Sequence, residues 1–266
     1  MPRYEAVFTI KGSTVFKPTH FSCFENVLKG DLTKALKVDG DRVFFYCDAS
    51  DKDAALKSAM ETTKRFCRLL SVFTGEYFSP EFKGLDNIAG QPGDSILAGL
   101  LLTSRVVTYD VEQLPQDIET SGSACTIQDK RLDKACAYFH HGLWLRNEAW
   151  RFIDPTSFDW TLLVSEAILN FYKAVALVLG HPIHMPAAEP LELDRTTRKR
   201  VEKIYELRDK RDIAHPDLGW EGTEERVADA EAVAQAVLTR YVNALRSGWS
   251  VPAPPVKRGR SGRRRK

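Results

Sequence analysis

The sequence is short of the patterns that mark secreted, zinc-binding and membrane-spanning proteins. Its five cysteines are scattered, odd in number and never spaced as Cys-x-x-Cys, which argues against a disulfide or zinc framework. By inspection no run is long and apolar enough to span a bilayer, and the first residues lack the charged-then-apolar build of a secretory signal. We therefore expect a cytoplasmic protein with reduced thiols and no membrane partner.

Clusters that would hold a metal ion or a cofactor are also missing. Residues 90–95 are rich in glycine but lack the Lys-Ser/Thr pair of a phosphate-binding loop. His140 and His141 are adjacent, so on a helix their side chains point about 100° apart and do not readily share one ion. His181 and His184 lie in a proline-rich loop without a carboxylate or cysteine at ligand spacing. We expect no metal and no cofactor.

The charge of the chain is distributed unevenly. The formal net charge is +2, but residues 257–266 carry seven Lys or Arg and no acid. Without them, 31 basic residues stand against 36 acidic ones, a net charge of −5. The tail is either a disordered, solubilising segment or an arm that binds phosphates. Its candidate RNA-binding residues are Lys257, Arg258, Arg260, Arg263, Arg264, Arg265 and Lys266.

The first 125 residues are expected to mix strands and helices. Composition predicts β-strands at residues 4–10, 42–47 and 106–111. Asp51 or Asp53 is expected to cap a helix that ends at Gly75 and places Leu56, Met60, Thr63, Cys67 and Leu70 on one face. Residues 79–95 contain several glycines and prolines and are predicted to form a loop.

From about residue 128 the apolar spacing becomes helical. Two predicted apolar stripes stand out: Trp160, Leu163, Val164, Ala167, Ile168, Phe171, Val175 and Leu179 on one helix, and Val227, Ala230, Ala234, Val237, Leu238, Tyr241 and Leu245 on another. The spacing predicts four helices, at residues 129–151, 154–179, 195–215 and 223–245, the second beginning with Pro155 near its first turn. Short links favour an antiparallel four-helix bundle. Trp144, Trp150 and Trp160 are expected to fill its core. The predicted class is α+β, with an α/β region at 1–125, a helical bundle at 126–250 and a disordered tail rich in Pro, Arg and Lys at 251–266.

One segment of the third of these helices points to chemistry. Val201, Ile204 and Tyr205 form its apolar stripe. The same stripe then continues through the charged residues Arg208, Arg211, Asp212 and His215. Charged groups on a face that should meet the rest of the protein are costly to bury unless they are paired or used.

The C-terminal half resembles the HEPN superfamily of helical-bundle domains, most nearly its Apea-like group. Three features carry the resemblance: the helix that ends in residues 169–175, the segment from Tyr205 through Asp209 to His215, and the Ala-rich helix at 228–245. The segment that ends at His215 is similar to the family's signature of Arg, a polar residue, a four-to-six-residue spacer and His. One departure is that Ala176 stands where an acidic residue is expected, near the end of the second helix.

The resemblance implies a metal-independent endoribonuclease that leaves 2′,3′-cyclic phosphate and 5′-hydroxyl ends. Arg208 would stabilise the scissile phosphate, His215 would be the general acid or base, and Asp209 would orient one of them. Arg211 is too close to His215 to be the motif arginine and is a candidate RNA contact. Seven residues span two helical turns, so Arg208 and His215 lie on one face about 10 Å apart. That separation is too large for both side chains of one chain to hold one phosphate closely. The resemblance implies a composite site across a homodimer, in which a second copy of the motif would supply the other group.

Other interpretations remain open from the sequence. His215 precedes Pro216 and could cap the end of the helix beside surface ion pairs, without any catalytic role. The bundle could be a non-catalytic HEPN module that binds nucleotide, RNA or a protein partner. The protein could also be an accessory factor tethered to nucleic acid by its basic tail. A role in prokaryotic defence or a toxin system, with a neutralising partner protein, is allowed by the resemblance alone.

Overall fold

The sequence folds into an α+β structure in which a small antiparallel sheet and a group of helices meet at one shared helix. The computed structural model describes residues 2–12, 34–39, 42–87, 114–125, 127–151, 157–181, 183, 185–210 and 224–249. The strands are β1 (Arg3–Gly12), β2 (Lys34–Asp39), β3 (Arg42–Asp48) and β4 (Phe78–Asn87). The helices are α1 (Lys52–Thr74), α2 (Leu114–Ala124), α3 (Lys130–Ala149), α4 (Phe158–Leu179), the one-turn α5 (Met185–Ala188), α6 (Arg195–Lys210) and α7 (Glu224–Arg246).

The sheet corrects one sequence prediction. Its order is β2-β3-β1-β4 with antiparallel pairing throughout, so two of the predicted strands, now β1 and β3, are confirmed and adjacent. The third predicted strand, at residues 106–111, lies outside the described residues. Residues 79–87, predicted as loop, belong instead to β4. Pro80 is tolerated because β4 stands at one end of the described strand order, where a missing N–H costs little. The register shifts by one residue opposite Val7 and Phe8, beside Gly84, which is a β-bulge.

Local capping explains where the helices begin and end. Asp51 accepts a 2.8 Å hydrogen bond from the Ala54 N–H at the start of α1, and Gly75 ends that helix in the left-handed region at φ 73°. Asp129 caps α3 in the same way. The helix predicted to begin at residue 154 begins at Phe158, because Ser157 provides the N-cap. The predicted loop after α4 contains the short α5 and a 3₁₀ turn at Glu189–Leu191.

Two hydrophobic cores meet along α1. Between the sheet and one face of α1 lie Phe8, Phe66, Leu70 and Phe78, all buried. The other core lies among α3, α4, α6 and α7 and is lined by residues such as Phe139, Phe171, Val201 and Tyr241. Leu69 and Val72 of α1 also pack into this second core. The sheet region and the helices are therefore joined by direct packing as well as by the chain.

The helical apolar stripes were predicted well, with specific exceptions. Trp160, Val164, Ile168 and Phe171 of α4 are buried as expected. On α7, Val227, Ala230, Ala234, Val237, Leu238 and Tyr241 are buried too. On α1 the buried face is turned slightly, so that Ala55 and Ala59 are buried while Leu56 and Met60 are half-buried. The prediction that Trp144 fills the core is wrong. Trp144 is 39% exposed and stacks on the His141 ring.

Candidate functional site

Arg208 is the predicted site residue whose side chain the structure describes, and it lies near the C-terminal end of α6, where the buried face of that helix becomes exposed to solvent. Val201, Ile204 and Tyr205 are buried against the helical core, as the stripe predicted. Arg208 lies on the same stripe, one turn further on, but it is exposed. The expectation that this charge would be buried is therefore wrong for Arg208. Its guanidinium carbon lies 5.6 Å from the centre of the Tyr172 ring, which belongs to α4.

Tyr172 belongs to a cluster of three rings in mutual contact, which we call the aromatic cluster: Tyr172, His181 and Tyr205. The ring centres of Tyr172 and Tyr205 are 5.3 Å apart with the planes at 77°. His181 lies 4.8 Å from Tyr205 and 5.8 Å from Tyr172. The two tyrosines are 9% and 7% exposed, whereas the histidine is exposed. The tyrosines thus form a buried base beneath two exposed polar groups, His181 and Arg208.

A hydrogen bond joins the aromatic cluster to the C-terminal end of α4. The hydroxyl of Tyr205 donates to the carbonyl oxygen of Gly180 at 2.6 Å. Gly180 is the C-cap of α4 and has φ 81°, a conformation that favours glycine. Burial, with a smaller contribution from Tyr172, raises the pKa of the Tyr205 hydroxyl well above its ordinary value. Tyr205 therefore remains a neutral donor. The residue that it bonds, Gly180, immediately precedes His181 in the chain.

The helix that carries Arg208 is basic within an acidic body. Helix α6 contains seven Lys or Arg and three Asp or Glu. One of these cations is committed to structure, because Arg200 donates from Nε to Asp229 Oδ1 at 2.7 Å and its Nη2 lies 2.6 Å from the same oxygen. Arg195, Lys199, Lys203 and Arg208 are exposed. This surface can attract a polyanion even though the chain without its tail has a net negative charge.

The other predicted site residues lie partly or wholly beyond what the structure describes. The backbone of Asp209 belongs to α6. His215 and Arg211 lie outside the described residues, as do all the cations of the tail, so their relation to Arg208 stays a prediction. The sequence pattern did not indicate Tyr172 as a neighbour of Arg208, and it suggested no role for His181 other than the metal ligand that its surroundings argued against. The spacing of Tyr205 and Arg208, three residues apart on one helix face, was the available signal.

The remaining candidate groups are accounted for by packing. His140 donates from Nε2 to the Phe78 carbonyl at 2.6 Å and packs on the Tyr77 ring. Within the described part of the chain, no group of three His, Cys, Asp or Glu is arranged to hold a metal ion. The four described cysteines are free thiols, and burial raises the pKa of Cys136 to about 12, so it is not a reactive thiolate.

Comparison with known proteins gives no relative from which a function could be proposed, so any proposal depends on the residues of this chain. No family model, no curated protein and no solved structure matches the sequence.

Helix α4 is long and apolar enough to cross a membrane by length and composition alone, contrary to the expectation from the sequence, and it is the one such helix among the described residues. Its apolar window is 61% buried inside the protein, which is typical of the core helix of a soluble protein.

Proposed function

We propose that this chain is a metal-independent endoribonuclease of HEPN type, which cleaves RNA to 2′,3′-cyclic phosphate and 5′-hydroxyl ends. The observation that carries the proposal is the position of Arg208: exposed, on a basic helix, and held over the Tyr172 ring. A planar guanidinium at such a site suits recognition of a phosphodiester, to which it can donate two parallel hydrogen bonds. The resemblance in sequence supplies the rest of the motif.

In this proposal α3, α4, α6 and α7 form the antiparallel HEPN-like bundle. Contacts between α3 and α4 support an antiparallel course, since Tyr138 lies by Lys173 and the later residue Gly142 lies by Phe171. Arg208 stabilises charge on the scissile phosphate. His215 takes the proton from the ribose 2′-hydroxyl as general base or gives a proton to the leaving 5′-oxygen as general acid, and Asp209 orients Arg208 or His215. A second copy completes the site in a cytoplasmic homodimer, and Arg211 and the basic tail add contacts to RNA.

The test is cleavage of a mixed single-stranded RNA in EDTA by the wild type, Arg208→Ala and His215→Ala. Arg195→Ala is the matched control, because it removes an exposed cation from the first turn of the same helix. We expect Arg208→Ala and His215→Ala to lose at least about a hundredfold in rate, and the control to lose little. Mass spectrometry of the products should show cyclic phosphate ends.

Two results would change the assignment. Equal cleavage by all four proteins would mean that the activity belongs to a contaminant or to another site. An inert wild type that still binds RNA and forms dimers would favour the non-catalytic HEPN module, in which the same surface serves binding alone.

A further inference from the structure

His181 is the exposed member of the aromatic cluster. Its imidazole is exposed, yet it is held against two buried rings and follows Gly180, whose carbonyl accepts the Tyr205 hydrogen bond. The same Tyr172 ring lies under the guanidinium of Arg208. His181 and Arg208 therefore both lie within 6 Å of one ring centre, although they come from different parts of the chain.

The chemistry of this pair fits an anion with several acceptor oxygens. Arginine offers a rigid fork of donors, and imidazole offers a ring N–H donor. The two tyrosine rings beneath them are buried and in mutual contact, so they provide a packed support that positions both groups before a ligand binds. Phosphate oxygens accept such bonds strongly when the donor is charged.

We propose that His181 and Arg208 together form a binding subsite for a phosphate group of an oligonucleotide. The inference rests on the proposed function for its ligand class and adds His181 as a substrate-binding residue of that site. It needs only one protomer, since both groups lie on the same aromatic cluster. His181 thereby adds a second donor from the same chain to the phosphate contact proposed for Arg208.

The first experiment is an NMR titration of the full-length wild type at constant pH. Inorganic phosphate is added first, followed by an oligonucleotide in which 2′-deoxyribose blocks cleavage. We expect saturable shifts of the His181 imidazole signals and of the Arg208 Nε–H signal, with no change at His141. His141 is the matched control because it is likewise exposed and in ring contact, but with Trp144 of its own helix α3. Unchanged His181 signals at saturating oligonucleotide would overturn the proposal.

Variants then test the pairing. We expect His181→Ala to weaken oligonucleotide binding about five- to tenfold and His141→Ala to leave it unchanged. Arg208→Ala should abolish the response of His181 to phosphate. An intact response in that variant would show that the two groups do not act together. His181→Gln, which keeps a polar side chain, provides a second variant should the alanine substitution lower thermal stability.

The two proposals can fail separately. Cleavage that depends on Arg208 and His215 but is unaffected in rate and KM by His181→Ala would remove His181 from the site and leave the ribonuclease intact. A wild type without cleavage whose His181 and Arg208 still respond to phosphate would remove the ribonuclease and leave the binding subsite.

Discussion

Tyr205 and Gly180 are joined by a 2.6 Å hydrogen bond from the tyrosine hydroxyl to the glycine carbonyl. The bond connects the middle of α6 with the end of α4, and so links the helix that carries Arg208 to the loop that carries His181. Because burial raises the pKa of the hydroxyl, the donor keeps its proton throughout the neutral range. The bond therefore contributes to the relative position of the two exposed groups, together with the ring contacts of the aromatic cluster.

Removing the hydroxyl by Tyr205→Phe should cost about 1 kcal/mol of unfolding free energy and leave the ring packing in place. It should also weaken oligonucleotide binding a few-fold, since His181 is then less firmly held. Tyr241→Phe is the matched control, because its hydroxyl donates to Asp129 Oδ1 at 3.2 Å, on other helices of the core. Urea unfolding should show comparable losses for the two variants. An equal loss of binding in both would contradict the positional role of Tyr205.

Gly142 permits the close approach of α3 and α4. A Cβ built at this position would lie 2.6 Å from Cε1 of Phe171, in a fully packed core. Gly142→Ala should therefore force the helices or the ring to shift and destabilise the protein by about 1–3 kcal/mol. Gly84→Ala in β4 is the control, since nothing lies within 4 Å of its added Cβ. Chemical denaturation measures both, and a neutral Gly142→Ala would show that Phe171 can repack freely.

Arg146 is a buried cation shared by two carboxylates from different elements. It forms a hydrogen-bonded ion pair with Glu231 of α7, and its Nη2 lies 4.0 Å from Glu76, just after α1. It also donates to Asn147 Oδ1 and its guanidinium carbon lies 4.6 Å from the Trp150 ring. Burial raises the pKa of Glu231, and the neighbouring guanidinium opposes that shift.

Arg146→Met should destabilise the protein by about 3–5 kcal/mol, because it leaves two buried carboxylates without their cation. Arg151→Ala is the control: its pairing with Glu148 is largely exposed, and its loss should cost less than about 0.5 kcal/mol. Adding Glu231→Gln to Arg146→Met should recover part of the loss. Urea unfolding at pH 7 measures the unfolding free energy of each variant. A small effect of Arg146→Met would show that water reaches the carboxylates of Glu231 and Glu76.

His140 should make stability depend on pH. Burial lowers its pKa to about 4, and its bond to the Phe78 carbonyl only partly opposes the shift. A histidine with a depressed folded pKa contributes stability that is complete above its unfolded pKa of about 6.5 and is lost as the pH falls towards 4. The wild type should therefore lose about 2–3 kcal/mol more than His140→Gln between pH 7 and pH 4.5. Parallel stability curves for the two proteins would contradict the shift.

Local signals determined much of the fold. The helix boundaries at Asp51, Gly75 and Asp129 follow from side chains that cap their own turns, and the stripe of α4 follows from spacing along one helix. Strand β4 was missed because its glycine and proline are loop-forming by themselves. They are accommodated by pairing with β1, more than sixty residues earlier in the chain, and by position in the sheet. Trp144 was misplaced because its size favours burial, while packing decided which face of α3 was covered.

The sequence by itself determined the mixed class of the fold, the extent of the apolar helix faces, and the placing of Arg208 on the same stripe as Tyr205. These are properties of residues a few positions apart, so periodicity reveals them. Only the tertiary structure decided that Arg208 is exposed rather than buried, that Tyr172 lies beneath it, and that His181 shares that ring. Those relations join side chains from separate elements, and no pattern along the chain records which helix ends will meet.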